Sequence, residues 1–148
     1  MFHWCCKTFN ELSVDELYGI LKLRIDVFII EQQCIFQDAD NKDQYSHHLF
    51  CTSNNTVVAY TRLIPAGKSY EEISIGRVAT ASQFRNEGLG KELMKRSIDS
   101  IWEIYGKQPI RIGAQLYLKR FYESFAFKQV SEIYLEDNIE HIEMILIP

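Results

Sequence analysis

The chain has no excess of positive charge, no apolar run of membrane-spanning length, no Cys-x-x-Cys pair and no internal repeat. Each absence removes a class. A net charge of −4 over 148 residues argues against a general binder of nucleic acid or anionic membrane. Without a long apolar stretch, no spanning helix is expected. Cys5, Cys6, Cys34 and Cys51 show no zinc spacing, and Cys5 and Cys6 in a strand would face opposite ways. They read as reduced thiols of a cytoplasmic protein. No basic leader with a long apolar core stands at Met1–Lys7, so no secretory signal is expected. The acidic stretch Phe36–Ser46 resembles a calcium loop but fails as one. Lys42 replaces an oxygen ligand, the central glycine is missing, and Leu49 sits where the closing glutamate belongs. Asp38, Asp40 and Asp43 therefore read as a solvated loop, or as a lip that attracts a cationic amine. No metal is expected.

What is present fits one globular domain over residues 1–148, with 47 % apolar and 24 % charged residues. Ile73–Ala79 reads as a strand. A polar turn follows, then Arg85, two closely spaced glycines and a long amphipathic helix beginning near Gly88. Leu89, Leu93, Met94, Ile98, Ile101, Trp102 and Tyr105 form its apolar face. A strand, a glycine turn and a helix N-terminus make an anion site. The first helical N–H groups lack partners within the helix, and Gly88 and Gly90 let a phosphate approach the backbone. Arg85 adds a forked cation. The dipole alone offers about 0.3–1 kcal/mol, so several N–H groups and an arginine are needed to hold a pyrophosphate. A P-loop would need glycine where Arg85 stands and Ser or Thr where Glu92 stands. A dinucleotide fingerprint would need a third glycine where Leu93 stands.

The remaining pattern is Arg85-Asn86-Glu87-Gly88-Leu89-Gly90, closed by Lys91. It resembles the pyrophosphate signature of the GNAT superfamily of N-acetyltransferases. A second stretch, Gln115–Phe127, resembles another motif of that family, with Tyr122 four residues before an Ala126-Phe127 pair where glycine usually precedes the phenylalanine. Near the N-terminus, Arg24-x-x-Val27-Phe28-x-x-Glu31-Gln32 is similar to a segment of the ElaA-like branch. Alanine at 126 in a helix-ending left-handed conformation would cost about 1 kcal/mol. The expectation is that the helix ends differently or bears that strain.

Along the chain, Phe2–Phe9 reads as a first strand, and Ser13 and Glu16 as a capping box. The helix they open is expected to bury Val14, Leu17, Tyr18, Leu21, Ile25 and Phe28. His47–Thr52 and Thr56–Ile64 read as a hairpin about Ser53-Asn54-Asn55. Ile110–Ala114 is a strand and Leu116–Phe125 a helix. Two strands, Gln129–Leu135 and Ile139–Ile147, turn at Glu136-Asp137-Asn138. The expected fold is α/β, a mixed, mostly antiparallel sheet of six to seven strands flanked by about four helices, in the GNAT order.

The resemblance implies transfer of an acetyl group from acetyl-CoA to a primary amine by direct attack. It places pantetheine between the strands Ile73–Thr80 and Ile110–Ala114, paired with backbone at Val78 and Ala79. Gly76 is expected to mark a bulge that opens the gap. Arg85, Asn86, Glu87, Gly88, Leu89, Gly90 and Lys91 would hold the pyrophosphate, and Gln115 would contact pantetheine. A backbone N–H near Val78 would stabilise the oxyanion. Tyr122 would serve the departing thiolate, as a hydrogen-bond donor or with a lowered pKa. Ile75 stands where some members carry a basic glutamate, which leaves Glu31, His47, His48 and His141 as candidate bases. The alternative is a non-catalytic acyl-CoA-binding or sensing domain of the same fold. A homodimer is compatible with the sequence.

Overall fold

A computed structural model describes residues 1–148. Eight strands build one sheet: β1 Phe2–Thr8, β2 His47–Ser53, β3 Thr56–Ile64, β4 Ile73–Thr80, β5 Ile110–Gln115, β6 Lys128–Gln129, β7 Tyr134–Glu136 and β8 Ile139–Leu146. Their order is β1-β2-β3-β4-β5-β8-β6, with β7 also on β8. Every pairing is antiparallel except β4–β5. Three α-helices flank the sheet: α1 Val14–Arg24, α2 Leu89–Tyr105 and α3 Lys119–Glu123. The strand count exceeds the expected six to seven because the expected strand 129–135 breaks into β6 and β7, each too short to run through. The helix count falls below four because Ile25–Glu31 only continues α1 in wider π-type turns.

Local chemistry sets most boundaries as expected. Ser13 Oγ accepts from the Glu16 amide at 3.0 Å and Glu16 reaches back to the Ser13 amide at 2.8 Å, which starts α1. Asn54 and Asn55 have φ of 50° and 62°, and Asp137 and Asn138 have 51° and 62°. Both pairs are two-residue hairpin turns of the type that asparagine and aspartate tolerate.

The α1 face differs from the expectation. Val14 and Tyr18 are exposed, and the buried stripe is Ile20, Leu23, Arg24 and Val27. The spacing is helical, but an arginine occupies the apolar side because acids from a distant loop neutralise it.

The core has two parts. One gathers Ile20, Phe50, Tyr60, Ala79 and Leu93, and the other Ile98, Ile112, Tyr122, Phe127 and Met144. Val78 of β4 packs against both, so β4 is the seam between them. α1 and α2 cover opposite faces of β3: Arg24 of α1 stacks over Tyr60, whereas Thr61 hydrogen-bonds Ser97 of α2 at 2.7 Å.

Candidate active site

β4 and β5 pair only at Ile73–Ile110 and Ser74–Arg111. Beyond those residues no ladder joins them, and the facing backbone edges diverge into a cleft of about 770 Å³. Two features drive β4 away. On its β3 side, Arg77 and Val78 together oppose the single residue Thr61, a bulge that bends the strand. Arg77 carries it with φ of 51°, so the bulge expected at Gly76 falls one residue later, and Gly76 itself pairs with Arg62.

A non-glycine residue there is strained unless its surroundings hold it. Arg77 is held by an ion-pair ring that sequence reading missed. Arg24 bonds Asp38 at 2.9 Å and Asp43 at 2.8 Å; Arg62 bonds Asp43 at 2.9 Å and Asp40 at 2.8 Å. Arg77 closes the circle on Asp40 at 3.3 Å and Asp38 at 2.7 Å. Three arginines and three aspartates alternate, and each acid lies between two guanidinium groups. Burial pushes the Asp40 carboxyl up, but the hydrogen bonds and charges of Arg62 outweigh it and bring it down to about 2. Asp43 is also lowered, its burial outweighed by Arg24 and then Arg62. The acidic loop is thus neither a solvated loop nor a free anionic lip. Its charges are spent on fixing residues 36–46 against the bulge. The three arginines and three aspartates of the ring show no sign of pairing in the sequence, since the partners lie 14 to 39 positions apart.

At one end of the cleft is the N-terminus of α2. Asn86 has φ of 67° and Gly88 of 81°, and no side chain caps the helix. Its first amides are therefore free for an anion. Nothing lies within 4 Å of the position a Gly88 Cβ would take, so the approach is open. Asn86, Gly88, Gly90, Lys91 and Arg85 line this end. Glu87 and Leu89 do not, and the Leu89 side chain is buried in the core. Arg85 already has a partner: Glu31 takes it bidentately at 2.5 and 2.6 Å, and the Thr80 carbonyl accepts a third bond at 2.8 Å.

Val78, Gln115 and Tyr122 also line the cleft. Ala79 is not part of the lining; it pairs with Tyr60 and buries its side chain. Tyr122 is 5 % exposed, packed edge-on against Phe127 with ring centroids 6.1 Å apart. Phe127 is placed by Ala126, which does adopt the left-handed conformation, φ 73°, and bears the strain. Its amide bonds Glu123 O at 2.9 Å, and the Phe127 amide bonds Tyr122 O at 3.3 Å, which ends the helix. Arg62 Nε is the one fully buried polar side-chain atom without a partner. The Tyr122 hydroxyl, which no protein group hydrogen-bonds, is therefore open to the cleft. Burial, and to a lesser degree Tyr117, raises its pKa. Tyr122 therefore stays protonated and able to donate; the lowered pKa considered from sequence is corrected.

The candidate bases separate cleanly. His47 contacts Tyr105 at 3.4 Å, away from the cleft. His48 is fully buried, accepting from the Tyr60 hydroxyl at 2.6 Å and donating to Asp43 O at 2.9 Å, and burial lowers its pKa. Glu31 lines the cleft, but the Arg85 hydrogen bonds lower its pKa and make it a poor base. His141 lines the cleft and is 7 % exposed, where a solvated face was expected. Its Nδ1 lies 2.7 Å from Ile139 O. A carbonyl only accepts, so Nδ1 carries the hydrogen and the Nε2 lone pair is free. Glu136 Oε2 is 3.6 Å from Nε2.

Gly113, on β5, was legible in principle. A Cβ there would stand 2.8 Å from the Tyr70 hydroxyl and 3.1 Å from that of Tyr134. A glycine inside a strand signals close approach of this kind. A larger open groove, about 1070 Å³, lies beside α1 and shares only Val27 and Glu31 with the cleft.

Residues 18–148 match the family model described as an acetyltransferase (GNAT) domain. Protein ElaA of Escherichia coli (strain K12) is 38 % identical over 146 residues, covering 97 % of this chain and 95 % of that one. Its crystal structure superposes with a TM-score of 0.92 over 98 % of this chain and 99 % of that one. The crystal structure of an acyl-CoA N-acyltransferase from Pseudomonas aeruginosa is 36 % identical with a TM-score of 0.94, over 98 % and 99 %. A GNAT family acetyltransferase from Elizabethkingia anophelis, solved with acetyl-CoA bound, shares the fold at a TM-score of 0.66 and 18 % identity, over 99 % and 98 %.

Proposed function

Because the chain belongs to the GNAT acetyltransferase family, in its ElaA-like branch, we propose that it moves an acetyl group from acetyl-CoA to a primary amine by direct attack. One observation carries the reading: uncapped amides after Gly88 and the free hydroxyl of Tyr122 line the same gap between β4 and β5. An anion site and a proton donor at a splayed strand pair suit a ligand with a diphosphate at one end and a thioester at the other. The residues fit acetyl-CoA. Amides from Gly88 to Lys91 would bind the pyrophosphate, and Arg85 would join them once released from Glu31. The unpaired edge of β4 near Val78 offers backbone groups for the amides of pantetheine. Gln115 lies further along the same cleft.

Acetyl-CoA supplies an electrophilic thioester carbonyl. The amine nitrogen forms a bond to that carbon, and the carbon–sulfur bond breaks with its electron pair leaving on sulfur. An N–H near Val78 stabilises the oxyanion. Tyr122 donates a hydrogen bond to the sulfur as charge develops there. With its raised pKa it does not surrender the proton outright, and the thiolate takes one from water on release. The proton lost by the amine goes to His141 Nε2, and Glu136 stabilises the imidazolium that forms.

Two measurements test this. Calorimetric titration with CoA should show binding, and acetyl-CoA-dependent thiol release should appear with some member of an amine panel. Tight CoA binding with no turnover on any amine would favour a sensing domain. Absence of CoA binding would remove the reading altogether.

A further inference from the structure

The charges along the cleft are unevenly matched. At the α2 end, free amides and Lys91 attract an anion. The two arginines in the lining are already paired, Arg85 with Glu31 and Arg77 with Asp38 and Asp40. Where the β7–β8 turn borders it, the cleft gains Glu136 and Asp137, and neither has a lysine or arginine partner. An acidic turn alone would mean little. Here a nearly buried side chain stands beside it: His141, in the lining of the cleft, with its side chain 9 % exposed and its Nε2 3.6 Å from Glu136 Oε2 but not hydrogen-bonded. With Nδ1 turned to Ile139 O, Nε2 is the ring nitrogen left to meet a ligand N–H.

We propose that this part of the cleft is the acceptor subsite and that it takes an aliphatic amine carrying a second cationic group, a diamine or an aminoalkyl guanidine. The proposal rests on the acetyl-transfer reading and names its substrate class. Two functions need two groups. A carboxylate keeps an ammonium protonated, so the acids cannot themselves prepare the nucleophile. The His141 imidazole receives the reacting nitrogen's proton, while Glu136 and Asp137 hold the distal cation, which stays charged. Tyr134 lies flat on His141 with centroids 5.8 Å apart and interplanar angle 27°, which fixes the imidazole. Ile139, in the lining beside it, offers an apolar surface for the methylene spacer. An anionic substituent in the distal position would meet two unmatched acids, and a plain alkylamine would leave them as they are.

The experiment compares 1,4-diaminobutane, 1-aminobutane and 4-aminobutanoate as acceptors, with thiol release from acetyl-CoA as the readout. The expected order of kcat/KM is the diamine first, the alkylamine next and the amino acid last. The diamine should exceed the alkylamine by about tenfold at low salt, beyond the statistical advantage of two equivalent amines. That advantage should shrink at about 0.5 M salt. In Glu136→Gln/Asp137→Asn the ratio should fall to its statistical value. An equal rate for the diamine and the alkylamine, a preference for 4-aminobutanoate, or a ratio that survives the double substitution overturns the proposal while leaving acetyl transfer intact. CoA binding with no acetylation of any amine fails the underlying reading instead.

Discussion

Two sets of arginine–carboxylate contacts border the cleft, and they differ in kind. The ring of Arg24, Arg62 and Arg77 with Asp38, Asp40 and Asp43 is largely buried and each charge is shared twice. The Arg85–Glu31 pair is single and open to water, with side chains 40 % and 37 % exposed. The ring cannot release one member without stranding another, so it acts as a fixed brace that holds a left-handed arginine at the β4 bulge. The exposed pair can separate at little cost. On the proposed reading it lies where an incoming diphosphate would need the guanidinium, which would make Glu31 a placeholder for the anion. The same chemistry gives a structural part in one place and an exchangeable part in the other.

The largest expected effect comes from opening the ring. Asp38→Ala takes one of two acids from Arg24 and from Arg77 and leaves the ring with one uncompensated positive charge, and removing one partner of a buried pair costs about 3–5 kcal/mol. Urea unfolding should show that loss; a change below about 1 kcal/mol would mean the ring is no brace. Acid should reveal the same difference without mutation. Asp40 binds a proton less readily in the fold, at about 2, than in the unfolded chain, where the value is near ~3.9. The stability it contributes is complete above about pH 4 and is lost as pH falls toward ~2. Acid unfolding in that window should be steep in the native protein and shallower in Asp40→Asn, whose stability is already reduced.

The exposed pair should behave in the opposite way. Arg85→Ala should leave the urea midpoint nearly unchanged, yet weaken CoA binding by about 10–100-fold, the worth of charged hydrogen bonds of ~1.5–3 kcal/mol. Glu31→Gln should have the smallest effect, tightening CoA binding about threefold by freeing Arg85 at a cost within ~0.5 kcal/mol in stability. Weaker binding in that variant would show that Glu31 orients Arg85 for the phosphate and does not compete with it.

The contrast also explains what the sequence revealed. Contacts that are local in the chain were legible: the Ser13–Glu16 cap, the Asn54-Asn55 and Asp137-Asn138 turns, the α2 stripe and the glycines at its start. Tyr122 and the Gly88 turn, singled out by the family motifs they resemble, line one cleft, because motif positions keep their order even when their spatial meeting is unseen. The ring was not legible. An arginine reads as solvent-facing, so Arg24 displaced the expected buried face of α1 by one step around the helix. His141 was read as solvated because alternation places it beside Glu143, and nothing local shows that β7 covers it with Tyr134. The bulge expected at Gly76 falls on Arg77 instead, whose positive φ is held by Asp38 and Asp40 from the acidic loop.

The central claim is that Tyr122 meets the sulfur of a thioester whose diphosphate rests on the α2 amides. Thiol release by Tyr122→Phe, measured at saturating acetyl-CoA beside a CoA titration of the same protein, tests it most directly. Turnover lowered by about a hundredfold with CoA affinity unchanged is the predicted result. Full turnover in Tyr122→Phe would contradict it.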